Sequence, residues 1–258
     1  MSEVSDDPRP ADSEATASFG YREVKREEKE PLVRQVFDSV AGRYDLMNDL
    51  MSAGIHRLWK ASLVSQVAPR PHQALLDVAG GTGDIAFRLQ DRAPKARIAV
   101  CDINEKMLSV GRDRAIDQGR LAGLDWVVGN AERLPFADRS FDAYTIAFGL
   151  RNVTDIDAAL REARRVLKPG GRFFCLEFSQ IVLPALREIY DRYSFSVLPW
   201  LGGVVAGDRD SYRYLAESIR QFPPQEALLT RLEAAGLEKA RYRNMTGGVV
   251  AIHSGWRL

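Results

Sequence analysis

The chain of 258 residues has only two cysteines and three histidines. Cys101 and Cys175 both lie in apolar runs typical of buried strands, and neither belongs to a Cys-x-x-Cys motif or a Cys/His cluster. Such cysteines are typical of free thiols in the core of a protein from a reducing compartment. His56, His72 and His253 have no spacing that would link them as metal ligands. The sequence therefore predicts free thiols and no metal site.

The chain also has almost no net charge, because 36 Lys and Arg residues oppose 35 Asp and Glu residues. This balance provides no overall basic field of the kind that favours DNA or RNA, so no nucleic-acid partner is expected. No apolar run approaches the roughly 20 residues that span a bilayer. The N-terminus lacks the order of segments that marks a signal peptide. These absences predict a cytoplasmic protein.

Residues 1–28 are rich in charged residues, Ser, Ala and Pro and poor in large aliphatics, which predicts a disordered tail. Residues 29–258 are predicted to form one domain, which begins with a helical cap or lid over 29–70. From residue 74 onward, apolar strands alternate with helices, which predicts a parallel sheet covered on both faces. The last two strands are joined by a short turn and are therefore expected to be antiparallel.

This order of elements predicts an α/β fold with a seven-stranded, mostly parallel sheet and an antiparallel last strand. That is the sheet of the class I Rossmann-like methyltransferases rather than the all-parallel dinucleotide-binding fold. In such a sheet, a ligand binds beyond the carboxyl ends of the strands, at the point where the strand order reverses. Polar residues at those strand ends are therefore the candidates for the site.

A glycine cluster follows the first of these strands. Residues 81–86 match the dinucleotide fingerprint G-x-G-x-x-G/A, and Asp102 follows at the distance of a ribose-binding acid. The fingerprint alone would predict a nicotinamide cofactor. A pyrophosphate would lie on the following helix N-terminus, where Asp84 would repel it. S-adenosylmethionine carries a net positive charge, which the carboxylates of Asp77 and Asp84 would attract. We therefore predict S-adenosylmethionine, a methyl donor, as the ligand.

The predicted donor site has residues for the methionine, ribose and adenine portions of the donor. The loop glycines would let the backbone approach the methionine portion closely. Asp102 would accept hydrogen bonds from both ribose hydroxyls, and Asn130 and Ala131 would meet the adenine. A tight turn that binds no ligand is the alternative for the loop. The full predicted set is Asp77, Gly81, Thr82, Gly83, Asp102, Ile103, Asn130 and Ala131.

Two long stretches resemble the signatures of the ubiquinone/menaquinone biosynthesis C-methyltransferases. They are "YDLMNDLMSAGIHRLW" (44–59) and "RVLKPGGRFFCLEFS" (165–179), and the similarity continues through "GNAERLPF", "FGLRNVTD" and "DSYRYLAESI". The resemblance covers nearly everything after the tail. For the donor contacts, it implies Thr82, Asp102, Asn130 and Ala131. The Ser that commonly precedes Phe-Gly-Leu-Arg-Asn in this family is Ala147 here, so that hydroxyl contact is missing.

The resemblance implies transfer of a methyl group from S-adenosylmethionine to a ring carbon of a polyprenylated quinol. The reaction would convert demethylmenaquinol to menaquinol, or 2-methoxy-6-polyprenyl-1,4-benzoquinol to its 5-methyl product, or both. Two alternatives stay open. One is methylation of another apolar small molecule, and the other is a non-catalytic, donor-binding scaffold of a quinone-synthesis complex.

The ring carbon becomes nucleophilic when a phenolic proton, with a reference pKa of about 10, is removed or polarised. Arg151 follows the fourth strand and is predicted to stabilise the phenolate by its field, with Asn152 orienting the quinol oxygen. A salt bridge at the strand end is the alternative for Arg151. Tyr44 is expected in a lid over the donor, either in direct contact or in helix packing. His56 is interpreted as a packed, hydrogen-bonded histidine.

The segment 184–222 contains seven aromatic residues and is predicted to be a helical insertion on the substrate side. It would line a channel for the isoprenoid tail or rest on a membrane surface from which such a lipid is drawn. A second core or a homodimer contact is the alternative. The expected partners are thus a polyprenyl quinol, with peripheral membrane contact, a homodimer or a quinone-biosynthesis complex left open.

Overall fold

The computed structural model describes residues 16–40, 49, 52, 54–182 and 209–258. The predicted roles of Tyr44 and of segment 184–207 therefore lie outside the described residues. An N-terminal hairpin of β1 (Thr16–Phe19) and β2 (Arg22–Lys25) leads into helix α1 (Arg26–Val40). The next elements are α2 (His56–Val67), β3 (Ala74–Val78), α3 (Asp84–Arg92), β4 (Arg97–Asp102), α4 (Glu105–Asp117), β5 (Leu124–Val128) and β6 (Phe141–Ala147).

A 3-10 turn at Leu150–Asn152 follows β6. The remaining elements are α5 (Ile156–Val166), β7 (Leu167–Phe178), α6 (Arg209–Gln221), α7 (Gln225–Ala234), β8 (Glu238–Met245) and β9 (Val250–Arg257). Among the described residues, no helix is both long enough and apolar enough to cross a membrane.

The main sheet has seven strands in the order β5-β4-β3-β6-β7-β9-β8. β3 pairs in parallel with β4 on one side and with β6 on the other, so the strand order reverses beside β3. β9 lies antiparallel between β7 and β8. The predicted fold class is confirmed, and the reversal places a ligand crevice beyond the carboxyl end of β3.

Apolar side chains cover both faces of the sheet, as expected for strands that alternate their side chains between two buried faces. Leu75 packs into one cluster with Leu63 of α2, whereas its neighbour Leu76 packs into the opposite cluster with Leu160 of α5. Cys101 and Cys175 are buried free thiols, as predicted.

The hairpin and the start of α1 correct the predicted tail, because residues 16–28 are ordered. The Phe19 ring stacks on Tyr214 of α6 with ring centroids 4.3 Å apart, and the Tyr21 N–H donates to the Glu217 carboxylate at 3.1 Å. These contacts join positions almost 200 residues apart, so local composition does not reveal them. Glu28, in the first turn of α1, accepts a hydrogen bond from the Lys25 N–H at 3.2 Å and suits the positive end of the helix dipole.

Candidate active site

The glycine loop between β3 and α3 is fixed by its backbone conformation. Gly81 has a φ of 53° and Gly83 a φ of 82°, both in the left-handed region that favours glycine. A Cβ on Gly83 would lie 2.7 Å from a ring carbon of Trp126. Packing against Trp126 therefore accounts for Gly83 without a ligand, whereas Gly81 lies at the cavity described below.

Asp102, at the end of β4, is held by the backbone on both sides. One carboxylate oxygen accepts from the Gly81 N–H and the other from the Asn104 N–H, each at 2.8 Å. Burial raises the pKa of Asp102, whereas these backbone hydrogen bonds lower it by a smaller amount. Each oxygen keeps a second lone pair, so the carboxylate can accept two further donors such as a pair of adjacent hydroxyls.

A cavity of about 100 Å³ lies at the carboxyl ends of the parallel strands, beneath α1. The structure brings six of the predicted residues together around it: Gly81, Asp102, Ile103, Asn130, Ala131 and Asn152. Side chains of α1 form its roof, namely Glu30, Val33, Arg34 and Phe37. All four residues lie within the helical cap or lid that the sequence predicts over residues 29–70.

Asn130 and Ala131 follow β5 and form the wall of the cavity opposite β3. The Asn130 amide donates to Glu30 of α1 at 3.0 Å, and its carbonyl oxygen accepts from the Glu132 N–H at 2.8 Å. Ala131 is buried. The first bond ties the roof helix directly to a predicted donor-contact residue, so movement of α1 would release the Asn130 amide.

Thr82 lies on the far side of the loop from the cavity. It is buried, and its hydroxyl accepts a hydrogen bond from the Arg114 guanidinium at 3.0 Å. The Thr82 side chain thus holds the loop onto α4 and does not line the cavity. Its implied donor contact stays a prediction.

Asp84 is neutralised by its neighbours, which corrects the charge argument drawn from the sequence. The buried Lys60 ammonium and the Arg88 guanidinium each lie 2.7 Å from its carboxylate. Burial raises the pKa of Asp84, but the two cations lower it by more, so its pKa falls to about 2. Among the described lining residues, the acidic side chains are Glu30, Asp102 and Glu132, and the cationic one is Arg34, which pairs with Glu30 at 3.3 Å.

Asp77, at the end of β3, is the buried carboxylate behind the loop. One oxygen accepts from the Thr145 hydroxyl at 2.7 Å, and the other has no hydrogen-bond partner among the described residues. Burial raises its pKa to about 7. A carboxylate that titrates near neutrality beside a ligand crevice can respond to the charge of what binds there.

A second cavity, of about 420 Å³, lies on the other side of the segment 148–154. Val153 and Thr154 line both cavities, so this segment is a wall that the two cavities share. Asn152 faces the first cavity, and its carbonyl oxygen accepts from the Tyr214 hydroxyl at 3.0 Å. Tyr214 lines the second cavity, which gives Asn152 a fixed orientation between the two.

Arg151 lines the second cavity and not the first. Its guanidinium donates to the Glu177 carboxylate at 2.8 Å and to the Phe148 carbonyl oxygen at 2.6 Å, and it lies over the Phe178 ring. Both members of the ion pair are buried. The salt bridge that the sequence left as an alternative is therefore present, and it offsets part of the field that Arg151 would exert on a phenolate.

His56 is packed and hydrogen-bonded, as interpreted from the sequence: its Nε2 lies 2.8 Å from the Asp49 carboxylate. Burial is the main cause that lowers its pKa. The described part of the chain contains no group of three or more His, Cys, Asp or Glu side chains placed to hold a metal ion.

The sheet order and the crevice beyond β3 define the class of protein, a Rossmann-like methyltransferase. Among solved structures with this fold are S-adenosylmethionine-dependent methyltransferases from Thermotoga maritima and Aquifex aeolicus. The first has a TM-score of 0.61 at 19% identity and covers 87% of this chain and 99% of its own. The second has a TM-score of 0.57 at 15% identity and covers 77% and 89%.

Residues 22–257 match the ubiE/COQ5 methyltransferase family, and the chain belongs to it. A relative from Paracoccus denitrificans is 58% identical over 240 residues, which are 93% of this chain and 96% of that protein. A relative from Dinoroseobacter shibae is 56% identical over 95% of this chain and 98% of its own length. Both are named ubiquinone/menaquinone biosynthesis C-methyltransferases.

Proposed function

We propose that the protein transfers a methyl group from S-adenosylmethionine to a ring carbon of a polyprenylated quinol in ubiquinone or menaquinone biosynthesis. The observation that carries the proposal is the 58% identity, over nearly the whole chain, to a protein named a ubiquinone/menaquinone biosynthesis C-methyltransferase. The geometry supports it, because a cavity at the strand ends shares the wall formed by the segment 148–154 with a larger cavity. The first suits a cationic donor and the second an acceptor.

The residues around the first cavity fit the donor. Asp102 has free lone pairs for two ribose hydroxyls, and Ile103, Asn130 and Ala131 enclose the side where an adenine would lie. When bound, S-adenosylmethionine supplies an electrophilic methyl group on a sulfonium. Helix α1 covers this cavity with Glu30, Val33, Arg34 and Phe37, so it acts as a lid over the donor in this proposal.

On the acceptor side, Asn152 orients a quinol oxygen, and Arg151 contributes to the field from its ion pair with Glu177. Tyr44 belongs to the same lid as α1 in this proposal. The aromatic segment 184–222 receives the isoprenoid tail. Its described part includes the buried Tyr212, Tyr214 and Phe222.

Purified protein incubated with donor carrying a deuterated methyl group, and with short-tail forms of both quinols, tests the function. Mass spectrometry with fragmentation is expected to locate the labelled methyl group on a ring carbon of one or both products. Labelled O-methyl product would favour another apolar acceptor. Donor binding without transfer to either quinol would favour the scaffold alternative and overturn the proposal.

Replacing Asp102 with Asn is expected to weaken donor binding by about 10- to 100-fold. An amide accepts weaker hydrogen bonds than a carboxylate, and loss of a charged hydrogen bond costs about 1.5–3 kcal/mol. The new NH2 group would also face one of the two backbone N–H groups that now donate hydrogen bonds to Asp102, so two donors would face each other. Calorimetry with S-adenosylhomocysteine measures the effect, with the exposed Asp125→Asn on β5 as the control. Equal affinity of the Asp102 variant and the wild type would contradict the assignment.

A further inference from the structure

The second cavity has four cationic side chains in its lining, and three of them are paired with carboxylates. Arg26 pairs with Asp155 and Arg231 with Asp157, each at 3.0 Å. Arg151 pairs with Glu177 at 2.8 Å. The fourth, Lys29, has no carboxylate within ion-pair distance among the described residues.

Lys29 lies on α1 and is buried, with only 6% of its surface exposed. Its Nζ donates a hydrogen bond to the Val153 carbonyl oxygen at 3.0 Å. Because Val153 lines both cavities, this bond places the Lys29 nitrogen at the wall that the two cavities share. A quinol in the second cavity whose ring approaches the donor would bring a phenolic hydroxyl to this wall.

We propose that Lys29 is a catalytic residue, which takes the phenolic proton of the quinol in the acceptor cavity. This role rests on the proposed function. In the neutral amine, one N–H holds the Val153 carbonyl and the lone pair remains to accept a proton. Lysine serves as a general base where burial favours its neutral form.

The electrostatic surroundings favour that neutral form. Burial lowers the pKa of Lys29, and Arg26 on the same helix lowers it further, whereas Glu132 and Glu23 raise it. The remaining charged groups of the cavity wall, which are Arg151, Asp155, Asp157 and Arg231, are paired as described above.

The other groups of the cavity are poorer bases for a phenol. Arg151 stays protonated. Asp155 and Asp157 have reference pKa values near 4, about six below that of a phenol, whereas the reference values of Lys and a phenol nearly match. Burial raises the pKa of Tyr214, and its hydroxyl is already donated to Asn152.

The proton and electron balance closes with Lys29 and solvent. The quinol O–H bond breaks and an N–H bond forms on Nζ, while the oxygen electron pair moves into the ring. The ring carbon forms a bond to the methyl group as the sulfur–methyl bond breaks, and that electron pair stays on sulfur. The hydrogen on the methylated carbon leaves to solvent as a proton and the ring becomes aromatic again. The phenolate oxygen then recovers its proton from Lys29.

Lys29→Met, which keeps the length of the side chain, is expected to lower the rate of methyl transfer by roughly 100-fold or more. The affinity for S-adenosylhomocysteine is expected to stay within about threefold of the wild type, which also shows that the variant folds. Lys25→Met, at an exposed position on β2, is the matched control. Lys29→Ala with added primary amines is expected to regain activity, and the rate should rise with the pKa of the amine.

Deprotonation by Lys29 can also be measured in the absence of the methyl donor. The probe is a nitrophenol with a short tail, whose phenolate form absorbs visible light. Wild-type protein is expected to bind it as the phenolate at a pH where the free probe is protonated, and Lys29→Met is not. If the wild type transfers methyl groups but Lys29→Met shows the same rate and the same probe spectrum, the Lys29 role is wrong and the function stands. If the wild type methylates neither quinol, the proposed function fails and the Lys29 role with it.

Discussion

Arg151→Ala is expected to lower the free energy of unfolding by about 3–5 kcal/mol, because it leaves the Glu177 carboxylate buried without its partner. Both side chains of this ion pair are almost fully excluded from solvent, at 4% and 1% exposure. Chemical denaturation at neutral pH measures the loss. The exposed pair of Lys106 and Asp38 supplies the contrast, since Lys106→Ala is expected to cost about 1 kcal/mol or less.

A double variant, Arg151→Met with Glu177→Gln, is expected to recover most of this stability. Replacing a buried ion pair with neutral groups of similar volume is often close to neutral in free energy, whereas removing one partner is not. If Arg151→Ala alone unfolds at the same denaturant concentration as the wild type, the buried pair is not held as described.

The double variant also separates the two roles of Arg151. Loss of turnover in Arg151→Ala would not by itself identify a catalytic role, because the fold is weakened beside Asn152. A folded double variant that binds donor but fails to methylate quinol would support stabilisation of the phenolate by Arg151. A folded and active double variant would assign Arg151 to the structure of the segment 148–154.

The sheet could be predicted from the sequence because its signals are local. The central strands β3, β4 and β6 are short, mostly apolar runs, and the short turn before β9 dictates an antiparallel pairing with β8. The positions of Asp102, Ile103, Asn130 and Asn152 followed from the same rule, since residues after parallel strands meet at one edge of the sheet. No knowledge of distant contacts was needed for any of these.

The charges of the site could not be predicted in the same way. Asp84 meets Lys60 from α2, and Arg151 meets Glu177 from β7, at sequence separations that no helical or strand periodicity relates. The ordered hairpin depends on Phe19 stacking against Tyr214 of α6. In the sequence, Lys29 lies among charged residues, which is typical of a solvated helix face. Its burial follows only from the position of α1 over the crevice.

Asp77→Asn is expected to remove a pH dependence of about 4 kcal/mol from the free energy of unfolding between pH 4 and 7. The pKa of Asp77 is about 7 in the folded protein, against a usual value of 3.8. Below pH 4 the carboxyl is protonated in both states, so its stabilising contribution is complete. Between pH 4 and 7 it ionises only on unfolding, so the stability of the wild type falls as pH rises and levels off above 7.

The difference in free energy of unfolding between wild type and Asp77→Asn isolates this carboxyl, because the other titrating groups are shared. Denaturation at intervals from pH 4 to 8 measures it. Asn keeps an oxygen for the Thr145 hydroxyl, so packing is largely preserved. A difference that stays flat across this range would show that Asp77 is ionised throughout, and the charge argument for this end of β3 would be wrong.

The same titration connects Asp77 to donor binding. A cation in the crevice favours the ionised form, so binding of S-adenosylmethionine just below pH 7 is expected to release a proton from the wild type and none from Asp77→Asn. Calorimetry in two buffers with different heats of ionisation detects that proton. Because S-adenosylhomocysteine lacks the sulfonium charge, it should release a smaller fraction of a proton, and equal release by both ligands would place Asp77 out of reach of the sulfur.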